Sequence, residues 1–406
     1  MKNRLTTAHG WEFLLIPALF CFAVSLFNKG GYIYVAVAAL MLFFNIRWIR
    51  IGLAEWLLFI FSFAYFGVFA CNNKVTIPEV VYFLIGPWSA YILGRLYVER
   101  SGCRNPLMVL VVTLAAGMCI HGLLNWVAYV QSSHILYYSY RRIAVDFWQK
   151  EIASVTVTGM YYVFATGISL GALFSPTKRL IKIVAVITLS LCILATVFFA
   201  NRTLLVIVFC IVLFRTAILF LSRKYPDKNK VFIFLAIVAV FGLISAAYVF
   251  NWFGIQNWVQ SLKLVERRAE AGRLVLWAEF FDDLAFMKYP FGGKYLTQNA
   301  NLTYMHNLWL DIYNVAGVFA FIPFVIFTGM MIARYCAFRK AMLAAGEVST
   351  YICFQCLLIA LALNCLVEPI VEANPYYLMI VLAYLGAMNG QMNVIKRTLY
   401  NEDSVC

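Results

Sequence analysis

Three basic residues stand where an apolar chain has least use for them. Arg202 lies in "FFANRTLLVIV", Arg273 in "AGRLVLW", and His306 opens "HNLWLDIYNVAG". A charge pressed against a bilayer is costly and marks a functional hypothesis by default. Guanidinium forks match phosphate oxygens and stay charged at any physiological pH. A neutral imidazole accepts a proton near pH 7. Nearby arginines disfavour its charged form and keep it a base. Together these side chains suit one chemistry well: a hydroxyl attacks a sugar carbon whose leaving group is a lipid diphosphate. Fixed arginines hold the departing charge, so the electrostatic work needs no metal. Plainer roles compete. Arg202 could snorkel to lipid headgroups, and His306 could simply begin a helix, a task that Asn307 and the aromatics after it serve equally well.

The elements that must position these residues are membrane helices. Of 406 residues, 64% are hydrophobic and only 12% charged. The mean hydropathy is +0.84. A soluble domain carries about 25% charged residues. The runs are long enough for helices rather than the short alternating strands of a barrel. The expected fold is therefore all-α, one membrane domain over 1–406. Twelve spans are expected, near 11–27, 32–46, 51–71, 78–94, 106–131, 155–174, 180–199, 203–222, 231–253, 307–333, 350–367 and 376–393. Alternate loops carry the basic residues: Arg47 and Arg50; Arg95, Arg100 and Arg104; Lys178, Arg179 and Lys182; Arg223 to Lys230; Arg334, Arg339 and Lys340. Lys2, Arg4, Lys396 and Arg397 put both termini on that side, which the positive-inside rule makes cytoplasmic. This distribution also accounts for the net charge of +14 without nucleic acid. The first run lacks a small-residue cleavage site and reads as a retained helix.

Two outer loops are long, 132–154 and 254–306, and long loops usually have a job. In the second, Leu274, Trp277, Phe281 and Leu284 share one helical face, which suits a helix lying on the membrane surface. Trp277 anchors that helix or meets sugar. Pro290 and a glycine pair then make a turn. Asp282 and Asp283 read as a solvated face. Arg142, in the first long loop, is a candidate contact to the donor. Glu368 and Glu372, in "EPIVEANPYY", are candidates to orient an acceptor or tune His306. Arg215 reads as a snorkelling or structurally paired residue. Cys353 and Cys356 form a CxxC inside an apolar run, where they pack as small hydrophobes.

At these residues the sequence resembles the O-antigen ligase and O-antigen polymerase superfamily of membrane glycosyltransferases. "NRTLLVIV" at 201–208 is similar to that family's short outer turn, and "GRLVLWAEFFDDLAFMKYPFGG" at 272–293 to its Gly-x-Arg segment, loosely, since the glycine here directly precedes the arginine. "HNLWLDIYNVAG" at 306–317 is similar to its His-Asn motif. "RRIAVDFWQKEIASVTVTG" at 141–159 is a weaker fourth likeness. The resemblance implies His306 as base and Arg202 and Arg273 as diphosphate holders; Arg142, Asn307, Trp277, Glu368 and Glu372 stand beside them as candidate substrate contacts from the reading of the residues themselves. The resemblance also implies no cofactor or metal, and an inverting transfer. It implies an undecaprenyl-diphosphate-linked glycan donor, a glycan or lipid A core acceptor, a chain-length regulator protein as a further partner, and the bacterial inner membrane as the location. The short arginine-to-histidine segment leans the reading toward polymerase over ligase.

A secondary transporter or polysaccharide exporter is the rival. A transporter usually shows two related halves and sites at the bilayer midplane. Here the ionisable residues gather at the outer surface, and convergence of Arg202, Arg273 and His306 there would separate the two.

Overall fold

In a computed structural model the chain is described over residues 11–103, 105–131, 143–199, 201–221, 277–278, 280–281, 288–294 and 304–403. The helices are α1 (Trp11–Val24), α2 (Gly30–Phe44), α3 (Leu53–Asn72), α4 (Ile77–Arg100), α5 (Pro106–Gln131) and α6 (Val157–Phe174). They continue with α7 (Arg179–Phe198), α8 (Arg202–Leu221), α9 (Leu308–Ala344), α10 (Val348–Val367) and α11 (Pro375–Asp403). The molecule is an all-α polytopic membrane protein. Among the described helices, eight are long and apolar enough to cross a membrane: α3 to α7 and α9 to α11. Each expected span meets a helix except 231–253, which lies outside the described residues.

One expectation on extent is corrected. Helices α9 and α11 run past residues 333 and 393, because good helix formers such as Ala, Arg, Lys and Met continue after the apolar stretch ends. The described part of the loop 132–154 holds a small hairpin. Ile143–Val145 (β1) and Ile152–Ser154 (β2) pair antiparallel, with Ala144 opposite Ala153.

Packing follows the logic of a bilayer, where apolar side chains gain little from leaving lipid and close backbone approach matters more. Helix α4 runs along α11, α6 along α10, and α3 along α9. Glycines let two of these seams close. A Cβ on Gly386 would sit 1.9 Å from the Tyr91 carbonyl oxygen, and one on Gly171 would sit 2.4 Å from Cys353 Cα. Outward faces are apolar instead. On α7, Leu180, Ile183, Val184, Ile187 and Leu194 are all exposed, the surface that lipid would cover. Cys353 and Cys356 are buried, as expected of small hydrophobes.

One helix is broken where it matters. At Gly317, φ is +66° and ψ is −161°, a conformation that only glycine adopts readily. The break frees backbone groups that must find partners. The 290–294 turn supplies them: Gly293 N–H donates to the Val315 carbonyl (3.1 Å), Lys294 N–H to that of Asn314 (2.8 Å), and Val318 N–H to that of Pro290 (2.8 Å). The expected turn of Pro290 and the glycine pair is therefore docked into α9 by main-chain bonds. Gly292 has a φ of +73°, and a Cβ there would lie 2.6 Å from Gly317 N.

Candidate functional site

The start of α9 is built around His306. Its φ is +52°, a left-handed conformation unusual for a side chain with a Cβ. Such strain persists only where the surroundings over-determine it. They do so here. On one side, Met305 N–H donates to Asp311 Oδ1 (2.8 Å), and the Met305 carbonyl accepts from Trp277 Nε1 (2.9 Å). On the other, Asn307 caps α9: its Oδ1 accepts from Trp309 N–H and Leu310 N–H, each at 3.1 Å. Its Nδ2 donates to the Leu366 carbonyl at the end of α10 (3.1 Å). The imidazole is thus aimed by its neighbours, and its side chain stays 24% exposed.

Glu368, one residue past α10, faces it. Its Oε2 lies 4.0 Å from His306 Nδ1, and its side chain is only 2% exposed. The other oxygen, Oε1, accepts from the Thr203 hydroxyl. Thr203 follows Arg202, the half-buried residue that opens α8. The N-terminal end of α8, a place that favours negative charge, therefore meets the carboxylate. Asn201 fits the turn before it, so close to Gly159 that a Cβ on the glycine would lie 1.7 Å from Asn201 Nδ2.

A second carboxylate borders the same region. Glu372, on the short helix Ile370–Ala373, is ion-paired with Lys294 of the docked turn. Burial raises the Glu372 carboxyl above its usual range, and the Lys294 ammonium pulls it partly back. Burial and the charges of Glu372 and Asp311 also raise the Tyr304 hydroxyl. Asp311 is fully buried one turn into α9. Phe280, Met305, Leu310 and Tyr313 form a small apolar cluster beneath, with Trp277 packed on it.

Of the residues singled out in the sequence, Arg202, His306, Asn307, Glu368 and Glu372 come to adjoining positions where α8 and α9 begin and α10 ends. Trp277 braces the Met305 carbonyl. Arg273 and Arg142 lie outside the described residues, as do Asp282, Asp283, Leu274 and Leu284. Sequence reasoning missed Thr203, Asp311 and Lys294. Asp311 carried a usable signal, an acid at the start of an apolar run; Lys294 and Thr203 had none beyond their closeness to the glycine pair and to Arg202. Among the described residues, no three His, Cys, Asp or Glu side chains converge in a metal-holding arrangement.

A second histidine pair was also missed. His121, on α5, is buried; its Nε2 lies 3.1 Å from Asp146 Oδ2. Its ring stacks on Tyr161 at 4.4 Å. Asp146 Oδ1 accepts from Trp148 N–H (2.9 Å) and Gln149 N–H (2.8 Å), closing the β1–β2 hairpin. Burial works to raise the Asp146 carboxyl, but the bonds from His121, Gln149 and Trp148 outweigh it and leave it below its usual value.

Fold and site together define a multi-pass helical membrane protein with a histidine–carboxylate cluster at one end of its bundle. No protein-family model matches the chain, and no curated protein is detectably similar to it.

Proposed function

We propose that the chain is a membrane glycosyltransferase that takes glycan from an undecaprenyl-diphosphate-linked donor and joins it to an acceptor hydroxyl at the outer face of a bacterial cytoplasmic membrane. In this reading there are twelve spans, with both termini cytoplasmic. The observation that carries it is the meeting of His306, Glu368 and the Arg202–Thr203 start of α8 at one end of the bundle. A base, a carboxylate and an arginine at headgroup depth are what a hydroxyl attack with diphosphate departure requires.

The roles follow from position. His306 removes the acceptor proton. Glu368 positions the imidazole and offsets its positive charge once protonated. Arg202 and Arg273 hold the diphosphate as it leaves. The sugar carbon is attacked from the face opposite the diphosphate, so the transfer inverts. Polymerisation onto a second lipid-linked unit is favoured over ligation to lipid A core. A transporter would instead place its ionisable residues around a midplane cavity open to alternate sides.

The test gives purified protein in liposomes the lipid-diphosphate-linked glycans of its host, with no other acceptor. A product ladder made by wild type and lost in His306→Ala supports a polymerase. Transfer only after lipid A core is added supports a ligase. No transfer under either condition overturns the reading.

A further inference from the structure

The opposite end of the bundle holds a different cluster. Arg50 precedes α3, Arg95 and Glu99 lie near the end of α4, and Asn393, Lys396 and Arg397 lie late in α11; the six line one pocket of 260 Å3. Arg334 of α9 donates to the Tyr91 hydroxyl at 2.8 Å, one turn before Arg95 on α4. Arg334 is roughly seven helical turns into α9, ~40 Å along it from His306. The pocket and the His306 cluster therefore sit at opposite ends.

The pocket is unbalanced in charge. Arg95 is buried and already bound to Glu55 and to the Arg50 carbonyl, yet its Nε finds no acceptor. Glu99 accepts from Asn393 Nδ2 (2.7 Å). That leaves Arg50, Lys396 and Arg397, all exposed, converging on a space whose one lining carboxylate is partly engaged. Like charges brought together repel, and an anion between them reverses the sign of the interaction.

Beside it stand side chains that want hydrocarbon. Trp48, Ile51, Leu53 and Trp56 are each more than half exposed, and Arg100 lies over the Trp48 ring at 4.5 Å. Tryptophans with basic neighbours sit at the level of lipid headgroups. Basic pockets between membrane helices at that depth suit phosphate-bearing lipids. A free phosphate would use the cations but leave the apolar rim without purpose.

We infer that this pocket binds the phosphate of an anionic membrane lipid, taken from the leaflet on the side of the positive loops. The inference is independent of the chemistry at His306. The test uses the full chain in a neutral detergent, with phosphatidylglycerol, phosphatidylcholine or inorganic phosphate added separately. Retained lipid is counted by native mass spectrometry, and the thermal midpoint is followed in parallel. Wild type is expected to hold phosphatidylglycerol at least ~10-fold better than phosphatidylcholine and to gain thermal stability from it, as a ligand specific to the native state must provide. Arg50→Gln, Lys396→Gln and Arg397→Gln combined should abolish that preference. Equal retention of the two lipids, or an unchanged preference in the triple variant, overturns the inference. Inorganic phosphate stabilising as well as phosphatidylglycerol, and displacing it, overturns the lipid as source. Should the triple variant fold poorly without lipid, Lys396→Gln with Arg397→Gln on the exposed end of α11 is read the same way.

Discussion

Two histidine–carboxylate pairs stand among the described residues, and they are built in opposite ways. His121 and Asp146 are 3.1 Å apart, with the histidine side chain 2% exposed. Its ring is pressed on Tyr161 and its carboxylate is saturated with main-chain donors. His306 and Glu368 are 4.0 Å apart, with the histidine a quarter exposed and in a strained backbone conformation. The first pair spends its polar groups on holding a hairpin against α5. The second leaves its imidazole partly exposed, with neighbouring residues fixing its direction. How open a histidine stays thus depends less on having a carboxylate nearby than on what else the pair is made to hold.

The sharpest way to break that contrast is to exchange the losses. His306→Ala should lower glycan transfer by ~10²- to 10⁴-fold, with the thermal midpoint in detergent nearly unchanged. His121→Ala should do the reverse. It removes a buried ring and strands a carboxylate, costing about 2–3 kcal/mol of stability, while turnover per folded molecule stays close to wild type. If both variants lost activity in proportion to unfolding, the distinction would collapse.

Lys294→Met probes how the outer cluster tolerates its acids. Burial raises the Glu372 carboxyl, and a raised acid contributes stability below its usual pKa that is lost as pH climbs through the folded value. Lys294 offsets that loss. Its removal should cost about 1–2 kcal/mol, more at about pH 8 than at about pH 5, as read from unfolding midpoints across pH. Lys294 is a third exposed, which keeps the figure below that of a fully buried pair.

Asp146 has the opposite sign. Its carboxyl is depressed, so its contribution is present above the usual value of 3.8 and lost as pH falls below it. Asp146→Asn should cost about 1 kcal/mol near neutral pH, with the gap to wild type closing in acid. Hydrogen exchange of the 143–154 amides checks it. Thr203→Val should have the smallest effect. Losing the hydroxyl that holds Glu368 should lower turnover a few-fold, roughly the worth of one hydrogen bond, and leave the midpoint in place.

The helices were legible because each apolar run had to be long enough for a bilayer, and the lip of α9 because His306 interrupts that rule. The glycine pair after Pro290 was legible as a turn. Its docking partner was not, since nothing about Gly317 in "NVAGVF" distinguishes a helix break from an ordinary small residue. The pairing of Glu368 with His306 was open in the sequence as one role among several, and Thr203 was hidden behind its more conspicuous neighbour Arg202. His121 stayed unread because its partner, 25 residues on in a loop, comes near only when the hairpin folds back. Contacts of that kind are set by tertiary approach, which no local pattern encodes.

The docking of the 290–294 turn into α9 has a consequence for how the protein can drift. The three bonds that join turn and helix are made by main-chain atoms. The bonds themselves read no side chain: Val315 answers to the core it is buried in and Lys294 to its left-handed φ of +63°, so the seam alone writes little into the amino-acid record. Two positions are exceptions, Gly292 and Gly317, where a single methyl group would collide with the opposing backbone. Distant versions of this chain could therefore share the seam while agreeing on little more than two glycines some twenty-five residues apart.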